Sequence, residues 1–354
     1  VYKRQVYIDR LSRIPAIMEM PYNDIIRKFI DMYAGRLRNQ VSFMLSACNF
    51  YMPIFEEALD AYGLPLELRY LPIIESALNP SAVSRAGASG LWQFMIGTGK
   101  IYGLESNSLV DERRDPIKAT WAAARYLKEM YDIYGDWNLV IAAYNCGPGT
   151  INKAIRRANG ETDYWKIYNY LPKETRGYVP AFIAANYVMT YYCDHNICPM
   201  ETNIPASTDT VQVNKNLHFE QIADLCNVPL DQIKSLNPQY KKQMIPGDSK
   251  PYTLRLPIDA ISTFIDKQDT IYAHRADELF RNRKTVAIKE ITPSTRKTTT
   301  AVAGKGKLTY YTIKSGDTLS TIAGKYGVTI KDIQRWNGMS NTKIAAGKRL
   351  KIYK

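Results

Sequence analysis

Between residues 22 and 62 the apolar positions recur at spacings of three and four, as in Ile25, Ile26, Phe29, Ile30 and Tyr33, then Phe55, Ala58, Leu59 and Tyr62. That period predicts helices with one buried stripe. Gly63 and Pro65 end one helix, and the next carries Leu68, Leu71 and Ile74 up to Glu75, where Asn79 before Pro80 forbids continuation. Asp115 followed by Pro116 predicts a capped helix through Trp121, Ala124, Leu127 and Tyr131, closed by Gly135. A further helix starts at Trp137. The stretch 177–193 is uncharged, but it holds Pro180 and Asn186 and falls short of the ~20 residues of a spanning helix. It predicts a buried helix.

After about residue 205 the texture changes. Residues 210–213 alternate like a strand, 219–226 and 230–236 have helical spacing, and 252–256 alternate again. The same order returns in 308–313, 319–326, 330–336 and 349–353. A repeat of about 45 residues with the order βααβ is the reading that accounts for both. Between the copies the chain is rich in Lys, Arg and Thr with little to bury, which predicts a flexible linker. The fold class is therefore α+β. A mainly helical domain precedes two small βααβ modules, with boundaries at 1–50 for an N-terminal helical extension, 51–205, 206–258, 259–306 for the linker and 307–354.

With 354 residues and 45% apolar content, the chain can bury more than one core. Its net charge of +13 is concentrated at the end, since 29 basic residues face 29 acidic ones up to His274 and 18 face 5 from Arg275 onward. A basic tail suits an acidic polymer or a membrane surface. Nucleic acid is not expected as a partner, because these charges do not fall on an aromatic-rich sheet. Five cysteines do not make a disulfide scaffold. Cys193 and Cys198 alone are close enough in sequence for a local bridge, and buried free thiols are the expectation for most. His195 between them has no second histidine at ligand spacing, so no metal or cofactor is expected. No secretion signal is visible at the start.

The candidate chemistry lies in spaced blocks. Glu75 follows Ile73 and Ile74 at a helix end, an apolar setting that keeps a carboxyl protonated. Then come ESALNP at 75–80, SRAGASGLWQF at 84–94, DERRDP at 111–116, AAYNCGPG at 142–149 and GYVPAF at 177–182. On these blocks the chain resembles the catalytic domains of soluble lytic transglycosylases and goose-type lysozymes (glycoside hydrolase family 23 type). Across these blocks it is similar to the membrane-bound lytic murein transglycosylase D family. The resemblance implies a lysozyme-like domain in which Glu75 is the single catalytic acid and later the base. It also implies a sugar cleft lined by Ser76, Gln93, Tyr144, Asn145 and Tyr178. Ile96 stands where the family often has proline, and Cys146 where it usually has alanine. Arg113, Arg114 and Asp115 are assigned to structure, Asp115 as a cap.

The block at 315–323 (SGDTLSTIA), with Tyr326, Gly327, Asn337 and Gly338, resembles a LysM domain. The resemblance implies glycan contacts at Gly316, Asp317, Thr318 and Ile344. The earlier copy has KNLHF at 215–219 in place of that block, so it is either a divergent binder or a brace for the catalytic domain. The expected function is non-hydrolytic cleavage of peptidoglycan between N-acetylmuramic acid and N-acetylglucosamine, leaving 1,6-anhydro ends. Two alternatives remain open, a goose-type hydrolase and a non-catalytic wall-binding scaffold. The expected partner is the peptidoglycan glycan strand, met by a monomer in the cell envelope, in the periplasm or at the outer membrane, with attachment through a lipoprotein signal upstream of Val1.

Overall fold

A computed structural model describes residues 2–202, 204–205, 207–280, 308–314, 317–339 and 344–353. It divides into two compact units, 1–291 and 292–354.

The first unit opens with helices α1 (Tyr2–Ser12), α2 (Asp24–Ala34) and α3 (Arg38–Ala61). After a short 3-10 turn come α4 (Leu71–Ser76), α5 (Ile96–Ile101), α6 (Pro116–Tyr134) and α7 (Trp137–Cys146). Next are α8 (Pro148–Arg157), α9 (Tyr164–Ile167), α10 (Lys173–Arg176) and α11 (Tyr178–Thr190). Local chemistry sets their ends. Asn23 Oδ1 accepts from the amides of Ile25 and Ile26, and Asp115 Oδ1 from those of Ile117 and Lys118, each satisfying donors the first turn leaves orphaned. Gly135 closes α6 at φ 61°, a conformation that glycine reaches without strain. The uncharged stretch is α11, which is buried nearly all round and packs on α2, α4 and α7 as the centre of a helical core. No helix among the described residues is long and apolar enough to cross a membrane.

The expected boundary between 50 and 51 falls inside α3, whose buried face runs from Val41 through Phe55 to Leu59 into one core. The first 50 residues thus pack on the same core as the residues that follow. A 3.6-residue stripe says that a helix buries a face, but not against what.

The first module is more elaborate than βααβ. β1 (Thr208–Val213) pairs antiparallel with β4 (Tyr252–Pro257), and β2 (Asn216–His218) with β3 (Met244–Pro246), around α12 (Phe219–Cys226) and α13 (Leu230–Leu236). The linker assignment from 259 is also corrected. Residues 258–279 form α14 (Ile258–Asp266), α15 (Gln268–Ala273) and α16 (Ala276–Leu279). Ala260, Phe264 and Ile271 are buried in the module's core. Ile261 and Tyr272 pack against the same core, but no capping side chain marks where these short helices start. The rest of that linker, 281–306, lies outside the described residues.

The second unit has β5 (Leu308–Thr312) paired with β6 (Arg349–Tyr353), and α17 (Leu319–Tyr326) and α18 (Ile330–Asn337) over a core of Ile313, Leu319, Ile322, Ile333, Trp336, Leu350 and Ile352. The two copies share a clasp. Asn237 Nδ2 donates to the carbonyls of Ile233 (2.9 Å) and Arg255 (2.8 Å), and its Oδ1 accepts from the Arg255 amide (2.8 Å). Asn337 does the same with Ile333, Lys351 and the Lys351 amide. One side chain thus ties the second helix of each copy to its last strand.

Candidate active site

Glu75 sits in the last turn of α4, which is followed by two non-glycine residues in the left-handed region, Ala77 at φ 51° and Leu78 at φ 58°. Each such residue costs roughly 1–3 kcal/mol and persists only where its surroundings enforce it. Here Leu78 is 1% exposed, wedged in the core, and the turn it anchors leaves Glu75 facing a cavity of about 430 Å³. The wall includes Tyr33, Gln40, Met44, Ile73, Ser76, Val83 and Gln93. Among the described residues that line it, Glu75 is the only carboxylate.

Burial pushes the Glu75 carboxyl up from 4.5 to about 7, opposed by a hydrogen bond in which the Tyr178 hydroxyl donates to its Oε1. The result is a carboxyl group that carries its proton near neutral pH and has one fixed donor ready to steady its charge when the proton leaves. Tyr178 is the first residue of α11, so the central helix of the domain delivers that hydroxyl. Burial also raises the Tyr178 and Tyr144 hydroxyls well above the usual phenol range, which keeps both neutral donors.

The other expected residues divide by what holds them. Tyr144, on α7, is part-buried and donates to the Trp92 carbonyl at 2.7 Å, which pins the chain next to Gln93. Gln93 stands at φ 48°, its Nε2 donates to the carbonyls of Gly90 (2.8 Å) and Ala82 (3.2 Å), and the residue lines the cavity. Ser76 also lines the cavity, but its hydroxyl is directed to the carbonyls of Pro72 (3.1 Å) and Leu91 (3.0 Å). Asn145 is exposed and accepts at Oδ1 from Thr175 Oγ1 at 3.0 Å. Neither Tyr144 nor Asn145 lines the cavity around Glu75. Asp115 caps α6, as assigned, and Cys146 is part-buried beside the Gly147 carbonyl.

Tyr33, Gln40 and Met44 are wall residues that sequence reasoning missed. Tyr33 stood in the apolar stripe of α2, read there only as buried, whereas the exposed Gln40 of α3 had no signal in the pattern. Cys193 and Cys198 are both free and exposed, so neither the local bridge nor burial applies to them. His195 Nε2 lies 3.1 Å from the Tyr187 hydroxyl, in a packed aromatic setting with Tyr7.

In the C-terminal module Asp317 accepts from the Tyr311 hydroxyl and the Lys314 amide, each at 2.8 Å, and these bonds hold its carboxyl below the usual range. Thr318 is exposed and caps α17 in a reciprocal pair with Thr321. Ile344 packs partly on the module core. Gly316 lies outside the described residues.

Comparison with known proteins agrees with this layout. Residues 52–167 match the transglycosylase SLT domain, 207–273 the LysM-like domain of lytic transglycosylase MltD, and 311–352 the LysM domain. The soluble lytic murein transglycosylase of Escherichia coli (strain K12) is 33% identical over 124 residues, 33% of this chain and 19% of that protein. The crystal structure of the 70 kDa soluble lytic transglycosylase of Escherichia coli aligns over 40% of this chain and 24% of its own, with 29% identity and a TM-score of 0.36. The membrane-bound lytic murein transglycosylase D of Escherichia coli (strain K12) is 32% identical over 341 residues, 95% of this chain and 70% of that protein. With likeness running through the catalytic domain and both modules, the chain belongs to the family of membrane-bound lytic murein transglycosylase D.

Proposed function

We propose that the chain is a peptidoglycan lytic transglycosylase of the cell envelope that works with Glu75 as its single acid and base, and that its C-terminal LysM module holds the wall. The observation that carries the mechanism is a carboxyl group pushed up to about 7 by burial, with the Tyr178 hydroxyl on its Oε1 and, among the described residues that line the cavity, no second carboxylate. Ordinary glycosidases place a second carboxylate across the bond. Without one, the C6 hydroxyl of the substrate can supply the nucleophile.

Glu75 gives its proton to the oxygen between N-acetylmuramic acid and N-acetylglucosamine, and that bond to C1 breaks. The substrate's own N-acetyl oxygen eases the positive charge at C1. Glu75, now ionised and steadied by Tyr178, takes the proton of the C6 hydroxyl, whose oxygen bonds to C1. The ring closes as a 1,6-anhydro sugar, no water is consumed, and Glu75 ends protonated as it began. Gln93, on the cavity wall, offers its amide oxygen as acceptor for a sugar hydroxyl or N-acetyl amide, with Ser76, Tyr144 and Asn145 supporting the cleft. In the LysM module Asp317, Thr318 and Ile344 flank the loops that take N-acetylglucosamine. The setting is the cell envelope, in the periplasm or at the outer membrane, and the name of the membrane-bound relative supports attachment to a membrane there.

Digestion of purified sacculi with the protein and with Glu75→Gln, read by mass spectrometry, tests the reading. Muropeptides one water lighter than lysozyme products, absent with the variant, are expected. Reducing ends would make the enzyme a hydrolase, and wild-type activity in Glu75→Gln would remove Glu75 from its role.

A further inference from the structure

One buried ion pair has no part in the chemistry above. Arg113 donates from Nε and Nη2 to the two carboxylate oxygens of Asp111, each at 2.8 Å, and from Nη1 to the carbonyls of Gly87 (2.8 Å) and Phe94 (2.9 Å). The two side chains are 6% and 2% exposed. A buried pair of this kind contributes little more stability than well-packed apolar residues would, whereas a bidentate guanidinium fixes geometry. What it fixes is the turn carrying Gln93, because Gly87 enters that turn and Phe94 leaves it. Gly90 packs so tightly beneath the Arg113 carbonyl that a Cβ there would stand 1.8 Å from its oxygen. With Gln93 at φ 48°, the turn is held in a disfavoured backbone form by contacts from outside it.

The other end of this link lies in the first module. Leu109 and Val110 belong to the catalytic domain in sequence but are buried in the module's core. The Asp111 amide donates to the Gln239 carbonyl (2.9 Å), the Lys241 amide to the Leu109 carbonyl (2.8 Å), and Val110 bridges Tyr240. Asp111 is the next residue after the stretch that the module has taken in. Meanwhile the two loops that would take a sugar in a LysM domain are closed on each other. β2 pairs with β3, Leu217 and Ile245 are fully buried, and a Cβ at Gly247 would meet the Lys215 carbonyl oxygen at 2.2 Å.

The geometry points to Arg113 as a positioning residue, through which the 207–280 module sets the turn that presents Gln93 to the glycan. The module then acts as a brace for substrate binding. This rests on the chain being a lytic transglycosylase, which wild-type release of anhydro products checks first, and on Gln93 touching substrate, which Gln93→Ala checks.

The test is a double-mutant cycle on soluble uncross-linked glycan strands, with Arg113→Lys, Gln93→Ala and the double variant, following KM and kcat separately. Lys keeps a charge opposite Asp111 but lacks the planar fork. Each single variant is expected to raise KM about fivefold or more, the scale of one well-placed hydrogen bond, and the double no further than Gln93→Ala alone. A purely structural arginine would lower the folded fraction, and so apparent kcat, and leave KM unchanged. An unchanged KM in Arg113→Lys beside a raised one in Gln93→Ala overturns the link but leaves Gln93 its role. An unchanged KM in Gln93→Ala removes that role and the link with it, and additive effects would show that Arg113 acts elsewhere. If Arg113→Lys does not fold, the near-isosteric Asp111→Asn takes its place with the same expectations.

Discussion

Replacing Glu75 with glutamine should stabilise the protein while it inactivates it, by an amount that depends on pH. Burial raises the folded-state pKa from 4.5 to about 7, and the unfolded chain keeps the ordinary value. Below 4.5 both states hold the proton and the group costs nothing. As pH rises from there, the unfolded state releases its proton first, so stability falls until about pH 7 and stays low above it. A gap of that width corresponds to about 3 kcal/mol. Because Glu75 is half-buried and faces the cleft, solvent reduces the figure to about 1–3 kcal/mol. Glutamine keeps the shape and does not titrate. Urea unfolding of both proteins, followed by near-ultraviolet circular dichroism, should give a stability difference in favour of the variant that grows by about 1–3 kcal/mol from pH 4 to pH 8 at constant m. A flat difference, or one that grows toward acid, would refute the argument that desolvation tunes Glu75.

Tyr178→Phe removes the hydrogen bond that lowers the Glu75 pKa, so the alkaline limb of the pH–rate profile should move to higher pH; a shift to lower pH would contradict the assigned direction. Gly90→Ala places a methyl group against the Arg113 carbonyl at φ 87° and should cost roughly 3–5 kcal/mol, measurable as a lowered denaturation midpoint. Trp92→Ala empties a fully buried site and removes the indole donor from Thr120 Oγ1 (2.9 Å), whose hydroxyl keeps its bond to the Pro116 carbonyl, for a similar loss of about 3–5 kcal/mol in the same experiment. Ending the chain at residue 306 should lower activity on intact sacculi at least about fivefold more than on short soluble glycans, through lost effective concentration, and should weaken the salt dependence of wall binding. Equal losses on both substrates would make the C-terminal module structural.

The helices were legible wherever a cap and a period coincided, as at Asp115 with Pro116 and Gly135. The strands of the second copy were legible because each alternates over a short core of its own. What escaped depended on long-range partners. The α2 and α3 stripe showed burial but not that Tyr33, Gln40 and Met44 would face Glu75, since period does not reveal which neighbour covers a face. β2 and β3 were too short to show a period, and 258–279, whose short helices carry no capping side chain, were not distinguished from the basic stretch that follows until Phe264 and Ile271 are seen buried. Glu75 was found through its neighbours in sequence. The Tyr178 partner, 103 residues away, came from the resemblance alone, because no local pattern connects them.

The burial of Leu109 and Val110 in the first module's core makes the two copies unequal as parts for recombination. The C-terminal module closes its own core, and a coding exchange at its border would move a complete fold from one protein to another. A cut near residue 206 would leave the catalytic domain with two exposed apolar residues and the module with a gap where they had been. The first copy therefore has to change in step with the loop it encloses, while the second is free to be traded, duplicated or lost.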